Sequence, residues 1–120
     1  MTISVRNKRS WKGPGEYIGR PSPLGNPIYL ADPNNNDERG KCIAEYAGWL
    51  ADKINHGDTK ILAELDRLTS IAIRGDLNII CWCAPKACHG DIIKMLIEKQ
   101  IRDIVDHGEM IDRVIGGDNV

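Results

Sequence analysis

The run Leu77-Asn78-Ile79-Ile80-Cys81-Trp82-Cys83 narrows the possible folds more than any other feature of the chain. It is apolar except at Asn78 and has the length of a strand. A strand without polar alternation is buried on both faces, which predicts a place at the centre of a parallel sheet. Pro85 ends it, because proline cannot donate to a strand ladder. Helical patterns stand on either side. Before it, Thr59–Arg74 carries Ile61, Leu65, Leu68 and Ala72 on one face, with Asp58 placed to cap its start and Gly75 to close it. After it, a helix beginning near His89–Asp91 carries Ile93, Leu96, Ile97, Ile101 and Ile104 on one stripe. A further helix spans Glu38–Asn55, with Asp37 as N-cap, Gly57 just past its end, and Ile43, Tyr46, Ala47, Leu50 and Ile54 inward. Thr2–Asn7 alternates Ile3 and Val5 with polar neighbours and reads as a first strand.

The order is therefore β-loop-α-α-β-α. It predicts an α/β fold: a small, mainly parallel sheet flanked by helices, Rossmann-like in its order. Residues 1–109 read as a single domain. Residues 110–120 form a C-terminal tail without clear periodicity, expected to fray or to contact a partner. Two clear strands are few for a sheet. Either the long loop adds strands or self-association completes the structure, and the apolar Met110, Ile111, Val114 and Ile115 favour a homo-oligomer.

Charge and cysteine usage bound the partners. The net charge of −1 is unevenly spread. Residues 1–27 hold Arg6, Lys8, Arg9, Lys12 and Arg20 against Glu16 alone, a balance of +4, which leaves −5 on the remainder. A basic segment on an acidic chain points to a local anionic partner, or else to a solvated basic face. Broad tracking of a nucleic-acid backbone needs a wider basic surface, so nucleic acid is not the expected partner. No apolar run approaches the ~20 residues of a membrane span, and the N-terminus turns basic before a secretory core could form. These features predict a cytoplasmic protein, in a bacterial host on the resemblance described below, with its four cysteines reduced.

Ser10–Asp37 is a long segment rich in Pro, Gly and Asn, with weak strand signals at Tyr17-Ile18 and Ile28–Leu30. Pro21, Pro23 and Pro27 fix three φ angles, and Gly19 and Gly25 open conformations closed to other residues. The expectation is a stiff, shaped loop. Arg20 offers bidentate recognition of phosphate or carboxylate. Ser22 and Asn26 add polar contacts, and Tyr17 or Trp11 could stack on a base. The bland alternative is a rigid crossover in which Arg20 pairs with a helix carboxylate.

The second motif is Cys81-Trp82-Cys83-Ala84-Pro85-Lys86-Ala87-Cys88-His89-Gly90-Asp91, at the carboxyl end of the central strand, where open α/β sheets hold ligands. A helix starting at Gly90 offers N–H groups and a positive dipole end to an anion. Lys86 adds a charge, Gly90 permits close approach, and Asp91 bonds a ribose hydroxyl or complements the dipole. Strand periodicity puts Cys81 and Cys83 on one face, with Cys81 read as a core residue. Cys88, beside His89 at a helix start, has two reasons for a lowered pKa and could act as a nucleophile with His89 as base. The catalytic candidates are Cys88, His89 and Asp91. A Cys3His zinc site fits the C-x-C spacing and the adjacent Cys88-His89 pair badly, so no metal and no cofactor is expected. His56 and His107 read as helix-end residues.

The segments Asn7–Pro27 and Cys81–Asp91 together resemble a family of small phage and bacterial domains of unknown function, marked by GRPSPLGNP and CWCxPxxCHGD motifs. The resemblance covers about residues 1–100. It implies a phage accessory protein, which by lifestyle analogy alone could bind, sequester or alter nucleotides. The loop after the first strand emerges at the same sheet end as the second motif, so topology predicts one pocket uniting Arg20 with His89. The expected ligand-binding set is Tyr17, Gly19, Arg20, Ser22, Gly25, Asn26, Cys83, Lys86, Cys88, His89, Gly90 and Asp91. The expected function is binding, or sequestering, of a small anionic, nucleotide-like ligand. The alternatives are an enzyme acting on a nucleotide or nucleoside derivative, and a zinc-stabilised interaction module.

Overall fold

The computed structural model describes residues 2–118 except Tyr29, Ala31, Pro33 and Pro85, with side chains to residue 108. In chain order the elements are β1 (Ile3–Asn7), β2 (Glu16–Tyr17), α1 (Asn36–Asn55), α2 (Thr59–Arg74), β3 (Leu77–Cys81) and α3 (His89–Asp118). The strands form one parallel sheet ordered β1-β3-β2, so the apolar run is central. Ile3, Val5 and Asn7 lie opposite Leu77, Ile79 and Cys81, and Glu16 and Tyr17 lie opposite Ile79 and Ile80. The α/β architecture and parallel pairing expected from the sequence are present. The long loop supplies the third strand at Glu16–Tyr17. The other weak signal, Ile28–Leu30, contains Tyr29, outside the described residues.

β3 stops at Cys81 rather than Cys83. Asn7 at the end of β1 donates from Nδ2 to the carbonyls of Trp82 (3.1 Å) and Ala84 (2.7 Å), turning the chain where a ladder would otherwise continue. Cys83 therefore leaves the strand alternation. Nor is β3 buried on both faces. Leu77, Ile79 and Cys81 are fully buried, while Asn78 and Ile80 are half-buried. That second face is covered thinly: Arg6 donates from Nε to Asn78 Oδ1 at 3.0 Å, and Gly15 lies directly on Ile80, where a Cβ would come within 2.6 Å of Cδ1.

α2 has its expected bounds, with the Asp58 carboxylate accepting from the Ile61 amide at 3.1 Å. α1 starts earlier than expected because Asn35, not Asp37, is its cap, accepting from the Glu38 amide at 3.1 Å. Asp37 falls in the first turn, where its charge complements the helix dipole. The buried stripe of α1 is also rotated from the expected one: it is Arg39, Cys42, Tyr46 and Leu50, with Ile43, Ala47 and Ile54 half-buried. α3 begins where expected but runs on through the segment read as a tail. His107 accordingly stands within a helix. Ile104, expected inward, is 49% exposed because α3 has passed the body of the domain after Ile101. The side chains of Met110, Ile111, Val114 and Ile115 lie outside the described ones.

The core joins Leu50, Leu68, Leu77, Ile79, Ile93 and Ile97 with Ile18 and Leu24 of the long loop, all essentially inaccessible. Burial of these two loop residues anchors the Pro-rich segment on the domain. Among the described residues no helix is long and apolar enough to cross a membrane.

Candidate functional site

The loop after β2 is held from both ends. Ser22 and Gly25 amides donate to the carbonyls of Gly19 and Ser22, both at 2.8 Å, giving two successive turns. Leu24 fills the core between them, and its carbonyl accepts the buried Tyr46 hydroxyl at 2.7 Å. A Cβ on Gly25 would sit 3.0 Å from the Arg20 amide and the Ser22 carbonyl, so the turn closes tightly only with glycine there. Arg20 donates from Nε to the Asn26 carbonyl at 2.6 Å and from Nη2 to the Ile28 carbonyl at 3.4 Å, while remaining exposed. The crossover role weighed for Arg20 is thus met by carbonyls rather than by a carboxylate.

The start of α3 is a capping box built on a thiol. Cys88 is the cap: its Sγ accepts the Gly90 amide at 3.3 Å, its own amide donates to Asp91 Oδ2 at 3.0 Å, and the Asp91 amide donates to the Cys88 carbonyl at 3.0 Å. The Cys88, Gly90 and Asp91 N–H groups are therefore spent within the turn. Gly90 serves packing, since a Cβ would lie 3.0 Å from Val5 Cγ1 and 3.1 Å from Ile18 Cδ1.

Cys88 Sγ also lies 3.2 Å from Cys81 Sγ, both buried and both free thiols. Two thiols this close cannot both ionise. Of the two, the Cys81 thiol is the one pushed down, by its contact with Cys88 and by the amides of Cys83 and Ala84. Cys88, buried against the Cys81 sulfur, is pushed well above the usual thiol range. The partner sulfur, which the sequence did not place beside Cys88, joins the helix end in setting how this thiol ionises. His89 is 9% exposed, its Nε2 is 2.9 Å from the Ile18 carbonyl, and its ring meets the Tyr46 ring edge-on with centroids 5.1 Å apart. Burial pushes the imidazole below its ordinary value, against the smaller opposing effect of the Ile18 carbonyl. Neutral His89 thus donates from Nε2 to Ile18 and is committed to the loop rather than to Cys88 as a base.

These two motifs face each other across one cavity of about 400 Å³. Tyr17, Gly19, Arg20 and Asn26 line it from the loop, and Cys83, Cys88 and His89 from the second motif. The juxtaposition of Arg20 and His89 follows from parallel pairing of the strands they follow. Ser22, Gly25, Lys86, Gly90 and Asp91 are not on the wall: Ser22 Oγ accepts the Leu24 amide, Lys86 is exposed, and the others hold turns.

Sequence reasoning missed Arg39, Cys42, Trp82 and the place of Cys81 in the cavity wall. Arg39 is 7% exposed and donates from Nη1 to the Ala87 carbonyl at 3.2 Å, tying α1 to the second motif. Its signal was present: Arg39, Cys42, Tyr46 and Leu50 are spaced 3, 4 and 4, one helical face. At the mouth, Trp82 Nε1 donates to the Tyr17 hydroxyl at 3.1 Å. Among the described residues no three His, Cys, Asp or Glu side chains come together as a metal site.

The family model described as "Domain of unknown function (DUF4326)" matches residues 3–99, which takes in both motifs, every strand and the first third of α3. No curated protein and no solved structure matches the chain.

Proposed function

The chain belongs to the DUF4326 family, and for this member we propose that the cavity binds a small anionic, nucleotide-like ligand. The observation that carries the reading is a buried guanidinium, Arg39, in the wall of a cavity that also holds Arg20 and the rings of Tyr17 and Trp82. A fixed positive charge in low-dielectric surroundings pulls hardest on an entering phosphate. Two aromatic rings at the mouth offer a stacking surface for a base. A volume of about 400 Å³ falls within the range of small-molecule pockets, ~300–1,000 Å³. The groups first suited to chemistry are occupied elsewhere: His89 holds Ile18, Asp91 holds the Cys88 amide, and the Cys88 sulfur is paired with Cys81. This favours binding over turnover. On the resemblance of its motifs to phage domains, the role extends to sequestering such a ligand within a bacterial host.

The test is mass spectrometry of small molecules released when the purified protein is denatured. An intact phosphorylated nucleoside derivative at near one per chain supports the reading. Release of uncharged compounds only would overturn it. One observation favours a second reading: Cys81, a thiol paired with Cys88 and pushed down by that contact, lines the cavity. In an enzyme it would be the nucleophile, and loss of turnover of a nucleotide derivative in Cys81→Ser would mark it.

A further inference from the structure

The cavity has a charged aromatic surround that binding of a single nucleotide does not use. Lys8 Nζ stands 4.6 Å from the centre of the Tyr17 ring and 5.7 Å from that of Trp82, and the Arg9 guanidinium stands 5.8 Å from Trp82. Farther along, the Arg6 guanidinium stacks 4.0 Å over Trp11. Trp82 is 51% exposed, a large apolar ring left open to solvent among cations. A second, shallower cavity of about 230 Å³ lies beyond, lined by Arg6, Asn7, Ser10 and Trp11 together with Ala84. Trp82 and Cys83 line the first cavity and Ala84 the second, so the two are neighbours across three consecutive residues. Each has an arginine and a tryptophan. Both sit at the carboxyl ends of β1 and β3.

We propose that this edge binds a single-stranded nucleic acid, its bases stacking on Trp82 and Trp11 and its phosphates meeting Lys8, Arg9 and Arg6. The end nucleotide enters the larger cavity, a part of the proposal that rests on the reading above. Alternating cations and rings with successive hollows is the chemistry of single-strand platforms, in which the backbone is tracked by charge and every base offers a face. Cations alone would fit an acidic peptide equally; the interleaved rings favour bases. The net negative charge of the whole chain argues against wrapping a duplex but not against this, because five of its cations are concentrated within residues 1–27.

The test is fluorescence anisotropy with a labelled mixed-sequence ten-nucleotide strand, as DNA and as RNA, beside calorimetry with the four nucleoside monophosphates. Lys8, Arg9 and Trp82 are exposed, so Lys8→Ala/Arg9→Ala and Trp82→Ala keep the fold, which circular dichroism verifies. The strand binds at least tenfold more tightly than any mononucleotide, and Trp82→Ala weakens it by about fivefold or more. The double variant lowers the slope of log affinity against log salt by about 1.4, roughly 0.7 per lost phosphate contact. Tighter binding of RNA or of DNA identifies the natural strand. Mononucleotides that bind through Arg39 while the strand binds no better, or insensitivity to both variants, overturn the platform and leave the cavity reading. A strand that binds while no mononucleotide does, with Arg39→Ala without effect, supports the platform and removes the cavity from it. Equal binding of polyglutamate overturns the assignment to nucleic acid.

Discussion

Tyr46→Phe removes one oxygen from the junction on which the site depends. That hydroxyl is fully buried and donates at 2.7 Å to the Leu24 carbonyl, in the middle of the loop that carries Gly19, Arg20 and Asn26. The ring itself, against Trp49 and His89, stays in place, so the variant isolates the hydrogen bond from packing. It leaves a buried carbonyl without its partner, which costs about 1–3 kcal/mol. An entropy of unfolding near 2.1 cal/mol/K per residue gives about 0.25 kcal/mol/K for 120 residues, so each kcal/mol lowers Tm by roughly 4 °C. The expected fall is about 4–12 °C, read by circular dichroism and checked by urea midpoint at unchanged m-value. A fall of less than about 1 °C would refute the idea that α1 holds the loop by this bond. Loosening should also appear as faster amide exchange at Ser22 and Gly25, whose amides close the two turns.

Three further outcomes follow from the same geometry. His89 titrates below its ordinary value of 6.5, so below that pH the unfolded chain binds the extra proton and stability falls with falling pH; in His89→Gln, urea titrations at pH 5 and pH 7 should show this slope reduced. Cys88→Ala deprives the Gly90 amide of its acceptor and should cost about 0.5–2 kcal/mol, whereas Cys88→Ser retains a cap and costs less; equal destabilisation of the two in thermal melts counts against the thiol cap. Elemental analysis of protein purified without chelator should give well under one zinc per chain, and a stoichiometric zinc lost in Cys83→Ser would contradict the reading of these cysteines.

Much of the fold was legible because it is written in periodicity. The apolar run Leu77–Cys83, the stripe of α2 with its Asp58 cap, and the stripe of α3 were sufficient for a central parallel strand between helices. What failed did so where a single side chain overrode the pattern. Asn7 ended β3 two residues early by taking two carbonyls, and Asn35 displaced Asp37 as a cap. The extent of α3 escaped notice because residues 102–108 are exposed, so the apolar stripe fades after Ile101.

The pairing of the two motifs around one cavity was expected from the loop after β1, whereas Arg20 follows β2, which also runs parallel to β3 and delivers its loop to the same edge. The chemistry of the cavity was less so. Proximity in sequence paired Cys88 with His89, while the fold paired Cys88 with Cys81 and His89 with Ile18. Arg39 was passed over because arginine is seldom buried, although its place on the α1 stripe was visible. Lys86 and Gly90 looked like phosphate ligands by residue type, yet one is solvated and the other is needed for helix packing.

The central claim is that the cavity holds an anion through the buried Arg39. Isothermal titration of the four nucleoside monophosphates into the wild-type chain, Arg39→Ala and Arg67→Ala tests it most directly. Arg67 pairs with Glu16 and Glu64 outside the cavity and serves as the control. At least one nucleotide should bind the wild type and the Arg67 variant alike, and binding should weaken in Arg39→Ala by roughly 10- to 150-fold, the worth of a charge-assisted bond of about 1.5–3 kcal/mol. Equal affinity in a folded Arg39→Ala protein, or no heat from any nucleotide with the wild type, would contradict the account.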